Sequence, residues 1–93
     1  MGTVVMGAGK SGLAAVRFLV GQGKAVVLTD SRPEPTSDLA SALLELGVPG
    51  VWGDHPMALL EGCEELVMSP GIPRTIPFVA EALRRGISVV GEV

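Results

Sequence analysis

The feature that most constrains the fold is a glycine motif near the start of the chain. Residues 7–12 read Gly-Ala-Gly-Lys-Ser-Gly, directly after the apolar residues 3–6 and before the helix-forming residues 13–20. A strand, a glycine turn and an amphipathic helix in that order form the first half of a βαβ unit. The first N–H groups of such a helix point into the space above the turn and carry a partial positive charge. The motif therefore predicts a phosphate-binding turn.

Each glycine of this G-x-G-x-x-G spacing has a predicted use. Gly7 permits a tight turn, Gly9 removes a Cβ that would hold a ligand away, and Gly12 lets the helix pack close to the strand. The stretch is not a Walker A loop, because that motif needs G-x-x-x-x-G-K-[ST]. Counting back five residues from Gly9 reaches Val4, inside the predicted strand. The turn is thus not expected to be an ATPase centre.

Length, charge and cysteine content narrow the class of protein. A chain of 93 residues forms one domain. The net charge is −3 and the seven basic residues do not cluster, so no nucleic acid is expected as a partner.

A lone Cys63 cannot form an internal disulfide, which fits a cytoplasmic protein. No apolar run approaches the roughly 20 residues of a membrane span. The chain stops directly after a strand-like run, and we expect it to be a piece of a longer protein.

Strand-like and helix-like segments alternate along the chain. Strands are predicted over residues 3–6, 25–29, 51–52, 65–68 and 87–90. Helices are predicted after the first, second and fourth strands, with core faces at Leu13, Val16, Val20, Leu39, Leu43, Leu46, Val79, Ala82 and Leu83. Residues 57–61 form at most a short helix. The pattern predicts an α/β, Rossmann-like fold: a five-stranded parallel sheet in the order 3-2-1-4-5, with helices on both faces.

In such a sheet, ligands bind beyond the carboxyl ends of the strands, where the strand order reverses. Three loops, residues 7–12, 30–32 and 69–73, are expected to meet there. Asp30 lies 18 residues after Gly12, a spacing typical of a carboxylate that accepts hydrogen bonds from a nucleotide sugar or base. Each loop also has a plain structural alternative: a tight turn without ligand, a solvated turn, and a rigid proline-stiffened connector.

The remaining polar residues do not form a catalytic or metal site by sequence. His55, beside Asp54, has no nucleophile within reach and is interpreted as a surface turn residue. Cys63 lies among glutamates and lacks the basic neighbours that lower a thiol pKa, so it is expected to be a packing residue. Trp52 is expected in the core or at an interdomain surface. No Cys/His spacing fits a metal site, and no catalytic residue is predicted.

Taken together, four ordered segments resemble the N-terminal domain of the Mur ligases of peptidoglycan synthesis, most closely the branch that adds D-glutamate. The segments are residues 7–13 after the first strand, 30–32 after the second, 69–73 after the fourth, and the closing residues 86–92. The likeness covers essentially the whole chain. It implies that residues 1–93 are the domain that holds the UDP part of UDP-N-acetylmuramoyl-L-alanine.

The resemblance also implies which residues bind this substrate. The diphosphate would meet the glycine turn, through backbone N–H groups and the Ser11 hydroxyl. The second loop would meet the uracil ring and nucleotide, and the third loop the phosphate–sugar part. The predicted substrate-binding set is Gly9, Lys10, Ser11, Asp30, Ser31, Arg32, Ser69, Gly71 and Ile72.

The reaction that the resemblance implies is an ATP-dependent joining of an acid to an amino acid. ATP would phosphorylate the L-alanyl carboxylate, and the amine of D-glutamate would attack the acyl phosphate. The ATP, magnesium and D-glutamate sites would belong to further domains of the same ligase. This domain is therefore expected to hold no cofactor and to be inactive alone.

Two alternatives remain open. The glycine spacing and Asp30 also suit an NAD(H)-binding Rossmann domain of a redox or regulatory protein. Residues 69–73 count against this alternative, because NAD domains do not need such a loop after the fourth strand. The second alternative is a small domain that contacts a partner protein and whose nucleotide cleft is empty.

Overall fold

The computed structural model describes residues 2–7, 9–69, 72 and 75–91, with Lys10 and Ser11 by their backbone alone. Strands and helices alternate along these residues. In chain order they are β1 (Gly2–Met6), α1 (Lys10–Gly21), β2 (Val26–Asp30), α2 (Ser37–Leu46), β3 (Gly50–Trp52), a 3-10 helix (Met57–Leu60), β4 (Cys63–Met68), α3 (Pro77–Arg84) and β5 (Ser88–Gly91).

The five strands form one parallel sheet in the order β3-β2-β1-β4-β5, which confirms the predicted fold class and strand order. At the carboxyl end of β1, Met6 pairs with Thr29 on one side and with Met68 on the other. The three central strands therefore end level with one another. The turns that follow them leave from the same edge of the sheet.

Helices cover both faces of the sheet, as predicted. Successive residues of a strand point to opposite faces, so Val5 packs under α1 and α2 while Val4 and Met6 pack under α3 and the 3-10 helix. The core on the α1–α2 side contains Val5, Val16, Leu19, Val26, Leu28, Leu39, Leu43 and Val48. The core on the α3 side contains Val4, Met6, Leu60, Leu66, Met68, Phe78, Val79 and Ala82.

Local signals explain where α2 begins and ends. The hydroxyl oxygen of Thr36 accepts a hydrogen bond from the Leu39 N–H at 3.3 Å, and Gly47 ends the helix in the left-handed conformation. Leu39 and Leu43 are buried and Leu46 is half-buried, as the predicted core face requires. The sequence was sufficient here because the cap, the glycine and the apolar face all lie within one short segment.

The predicted core face of α3 was wrong at Leu83. That side chain is 50% exposed, whereas Phe78 is 3% exposed and was not predicted as core. The buried face of the helix passes through Phe78, Val79 and Ala82, and Leu83 lies about a quarter turn from the centre of that face. On α1, Leu19 is likewise buried where only Leu13, Val16 and Val20 were predicted.

The longest helix among the described residues, α1, has 12 residues. In that part of the chain no helix is both long and apolar enough to cross a membrane.

Candidate functional site

The glycine turn after β1 is pressed against the loop that follows β4. Gly7 has a φ of +103°, a conformation that side chains disfavour, and its N–H donates to the Thr29 carbonyl at 2.9 Å. A Cβ at Gly7 would lie 2.7 Å from the Cβ of Ser69 and 3.5 Å from Cδ1 of Ile72. The first and third predicted loops therefore touch at this position.

The other two glycines of the motif face different surroundings. A Cβ at Gly12 would overlap the Gly7 carbonyl group, whose carbon would lie 2.9 Å away, so α1 packs closely against the residue that follows β1. A Cβ at Gly9 would have no atom of the described residues within 4 Å. Gly12 is thus needed for packing, while no described residue occupies the space beside the Cβ position of Gly9.

The amino end of α1 offers backbone N–H groups without a side-chain cap. Gly9 is the N-cap residue, no side chain of the described part of the chain caps the helix, and no acidic residue lies in its first turn. The first turn of α2 differs, because it carries both the Thr36 cap and Asp38. The positive end of the α1 dipole is therefore left without an anionic group from its own first turn, an arrangement suited to a phosphate.

The second loop is a turn braced from two sides. Oδ1 of Asp30 accepts a hydrogen bond from the Arg32 N–H at 2.9 Å and lies 3.4 Å from Nε of the same arginine. The Gly53 N–H donates to the carbonyl oxygens of Asp30 and Arg32 at 3.0 and 2.7 Å. A carboxylate and a guanidinium consequently lie side by side at the carboxyl end of β2, and the intervening Ser31 is exposed.

The third loop starts beside the first. The Ser69 N–H donates to the Met6 carbonyl at 3.0 Å, and the Ile72 N–H donates to the Ser69 carbonyl at 3.4 Å. Gly71 lies outside the described residues, as do the side chains of Lys10 and Ser11. The backbone of Lys10 and Ser11 forms the start of α1. Of the predicted substrate-binding set, the structure thus gathers the described members at one edge of the sheet.

His55 is not the surface turn residue that the sequence indicated. It is half-buried, its Nδ1 lies 2.9 Å from Oγ1 of Thr29, and its ring centroid lies 5.5 Å from that of Phe78. Thr29 was the one sequence feature that could have indicated a structural role for His55, because a hydroxyl in a buried strand requires a hydrogen-bonding partner. The sequence did not identify His55 as that partner, because the two residues are far apart along the chain.

Cys63 and Trp52 take the structural roles expected of them. Cys63 is half-buried, its Sγ donates to the Glu65 carbonyl at 3.2 Å, and burial raises the pKa of the thiol. Trp52 packs against the core on the α1–α2 side. Across the described ranges, no three His, Cys, Asp or Glu side chains come together in a way that would hold a metal ion.

Comparison with known proteins gives a consistent match over almost the whole chain. The family model described as Mur ligase MurD-like, N-terminal domain, matches residues 1–91. A protein of Halalkalibacterium halodurans named UDP-N-acetylmuramoylalanine--D-glutamate ligase is 44% identical over 90 residues. The protein of the same name from Syntrophotalea carbinolica is 42% identical over 90 residues. Each alignment covers 97% of this chain and 20% of the relative, so the chain spans about a fifth of their length.

Solved structures match at the level of the fold. A pseudomurein peptide ligase type C from Methanothermus fervidus superposes with a TM-score of 0.81 at 17% identity, covering 98% of this chain and 19% of that one. An imine reductase from Myxococcus stipitatus, in complex with NADP+, superposes with a TM-score of 0.64 at 15% identity. This match covers 98% of this chain and 40% of the reductase chain. The fold alone is therefore shared with a dinucleotide-binding enzyme.

Proposed function

The chain belongs to the MurD-like N-terminal domain family of the Mur ligases, and on that premise we propose that it binds the UDP part of UDP-N-acetylmuramoyl-L-alanine. The observation that carries the proposal is the convergence of three loops at the carboxyl edge of the sheet. The start of α1, which no described side chain caps, lies at one of these loops, and the Asp30–Arg32 pair lies at another. The choice of substrate is supported by the relatives, which are named UDP-N-acetylmuramoylalanine--D-glutamate ligase.

The proposed roles follow from the position of each loop. The N–H groups at the start of α1, from Lys10 and Ser11, receive the diphosphate, and the open space at Gly9 admits it. Asp30 and Ser31 meet the uracil ring, and the Arg32 guanidinium lies against the nucleotide. The third loop, Ser69, Gly71 and Ile72, contacts the phosphate–sugar part.

For the protein as a whole, we propose the ATP-dependent addition of D-glutamate to this substrate in peptidoglycan synthesis. The chain spans about a fifth of the length of its named relatives. The ATP, Mg²⁺ and D-glutamate sites belong, in this proposal, to the remaining domains. The glycine turn does not have the P-loop spacing, and the chain alone accordingly binds substrate without turning it over.

Replacement of Asp30 tests the nucleotide site directly. In this proposal Asp30→Ala weakens the binding of UDP about ten- to hundredfold, because a hydrogen bond to a charged group is worth roughly 1.5–3 kcal/mol. The fold is expected to persist, since Asp30 is the last residue of β2 and is not among the buried core residues. Isothermal calorimetry with UDP measures the dissociation constant, and thermal unfolding measures the stability.

Asp30→Asn is the matched control for the turn itself. Its side-chain oxygen can still accept the hydrogen bond from the Arg32 N–H, while the negative charge is lost. Intermediate affinity is expected for this variant. If Asp30→Ala binds UDP with wild-type affinity, Asp30 is not part of the binding site. If the wild-type chain does not bind UDP, the result counts against the proposed function.

A further inference from the structure

A set of contacts beside the proposed nucleotide site is not used by the proposed function. Thr29 is fully buried near the carboxyl end of β2 and is level with Met6 on the α3 side of the sheet. Its hydroxyl donates to the Asp54 carbonyl at 3.2 Å and lies 2.9 Å from Nδ1 of His55. The loop that follows β3 is therefore attached to the end of β2 through a buried hydroxyl group.

The Thr29 hydroxyl has two hydrogen-bonding partners on the loop that follows β3. It donates to the Asp54 carbonyl at 3.2 Å. Nδ1 of His55 is nearer, at 2.9 Å, and either shares that hydrogen or donates one of its own, according to the tautomer of the ring. A side chain that replaces His55 must therefore present a hydrogen-bonding group near the position of Nδ1 to preserve the contact.

The ring of His55 is held on its other side by α3. Its centroid lies 5.5 Å from that of Phe78, with the rings tilted by 41°. Gly53 and Asp54 are exposed, whereas His55 is half-buried. Of these three consecutive residues, His55 is the one whose side chain is fixed between β2 and α3.

The segment of residues 53–55 also supports the second loop, residues 30–32, which is proposed to meet the uracil ring. The Gly53 N–H donates to the carbonyl oxygens of both Asp30 and Arg32, at 3.0 and 2.7 Å. These two residues also share the contact between the Asp30 carboxylate and the Arg32 N–H. Displacement of Gly53 would remove the hydrogen bonds that its N–H donates to Asp30 and Arg32.

We propose that His55 is a positioning residue for the nucleotide site. It fixes residues 53–55 between β2 and α3, and the Gly53 N–H then holds residues 30–32 in their binding conformation. The inference rests on the proposed function, because it requires that residues 30–32 meet the nucleotide. His55 itself need not touch the ligand.

The test compares two variants of similar size, His55→Asn and His55→Leu, with UDP as the probe. Both lose the ring contact with Phe78, but only the asparagine presents a group near the Nδ1 position that can donate to or accept from the Thr29 hydroxyl. We expect His55→Leu to raise the dissociation constant for UDP about three- to tenfold, which corresponds to the loss of one hydrogen bond. The dissociation constant of His55→Asn is expected to stay within about twofold of the wild-type value. Equal affinity of the two variants would overturn the proposal.

Two further readouts separate positioning from a general loss of stability. In a Thr29→Val background, where the hydroxyl is absent, His55→Leu is expected to cause no further loss of affinity. Amide hydrogen exchange of the ligand-free chain is expected to accelerate at Gly53 and Arg32 in His55→Leu, with Val5 in β1 unchanged. Uniform acceleration, or none at Gly53, would contradict the positioning role.

The exchange measurement also keeps the two proposals distinguishable. If the wild-type chain fails to bind UDP, the proposed function fails. The exchange rates at Gly53 and Arg32 then still decide whether His55 holds residues 30–32, because they are measured without ligand. If the wild-type chain binds UDP and the asparagine and leucine variants do not differ, the positioning role alone fails.

Discussion

Gly12→Ala is expected to destabilise the domain by about 1–3 kcal/mol, and nearer the upper figure, because the added methyl group meets backbone. The Cβ would overlap the carbonyl group of Gly7, which is itself held at a φ of +103° against Ser69. Neither the turn nor α1 can yield without moving the other. A domain of this size has a total stability of about 5–15 kcal/mol, so the loss is a substantial fraction of it. Equilibrium unfolding in urea measures the change.

Gly9→Ala is the matched control, because it adds the same methyl group to the same turn. No described atom lies within 4 Å of that methyl position, and the φ of −76° suits alanine. Its free energy of unfolding is expected to change by less than about 1 kcal/mol. The affinity for UDP is expected to fall about tenfold or more, since the methyl group takes the space proposed for the diphosphate. Unchanged affinity in Gly9→Ala would contradict this placement of the ligand.

Leu43→Ala is expected to cost about 2–5 kcal/mol of unfolding free energy. Leu43 is 4% exposed and packs in the core on the α1–α2 side. Truncation leaves a cavity between α2 and the sheet, which the surrounding backbone can fill only in part. Urea unfolding of the variant measures the loss, and a shift of the midpoint without a change in slope would show that stability changed while the surface exposed on unfolding did not.

The adjacent residue supplies the control for that experiment. Leu44 is also a leucine of α2, but its side chain is 83% exposed. Leu44→Ala is expected to change the unfolding free energy by no more than about 0.5 kcal/mol. Similar losses in the two variants would contradict the orientation of α2.

Local signals made most of the fold predictable. Thr36 and Gly47 mark the ends of α2 within a few residues of its apolar face, and Pro77 marks the start of α3. The strand order followed from alternating strands and helices with right-handed crossovers. Leu83 was assigned to the core because helical spacing alone does not fix where the centre of the buried face lies. That centre depends on the contacts of Phe78, which are set by tertiary structure.

The candidate site was predictable in its location rather than in its detail. Topology alone brings the ends of β1, β2 and β4 together, so the loops containing Gly7, Asp30 and Ser69 could be placed in advance. The Thr29–His55 contact could not be predicted from the sequence, because it joins residues 26 positions apart across a strand and a loop. The binding roles of the nine predicted residues stay predictions, and Gly71 lies outside the residues that the structure describes.

The most direct test of the central proposal is an amide NMR titration of the chain with UDP-N-acetylmuramoyl-L-alanine and, separately, with NADH. The proposed function predicts saturable shifts with the uridine ligand at the amides of Gly9, Lys10, Ser11 and Asp30, and no saturable response to NADH. Saturation of the same amides by NADH, without a response to the uridine ligand, would contradict it and make this a dinucleotide-binding domain.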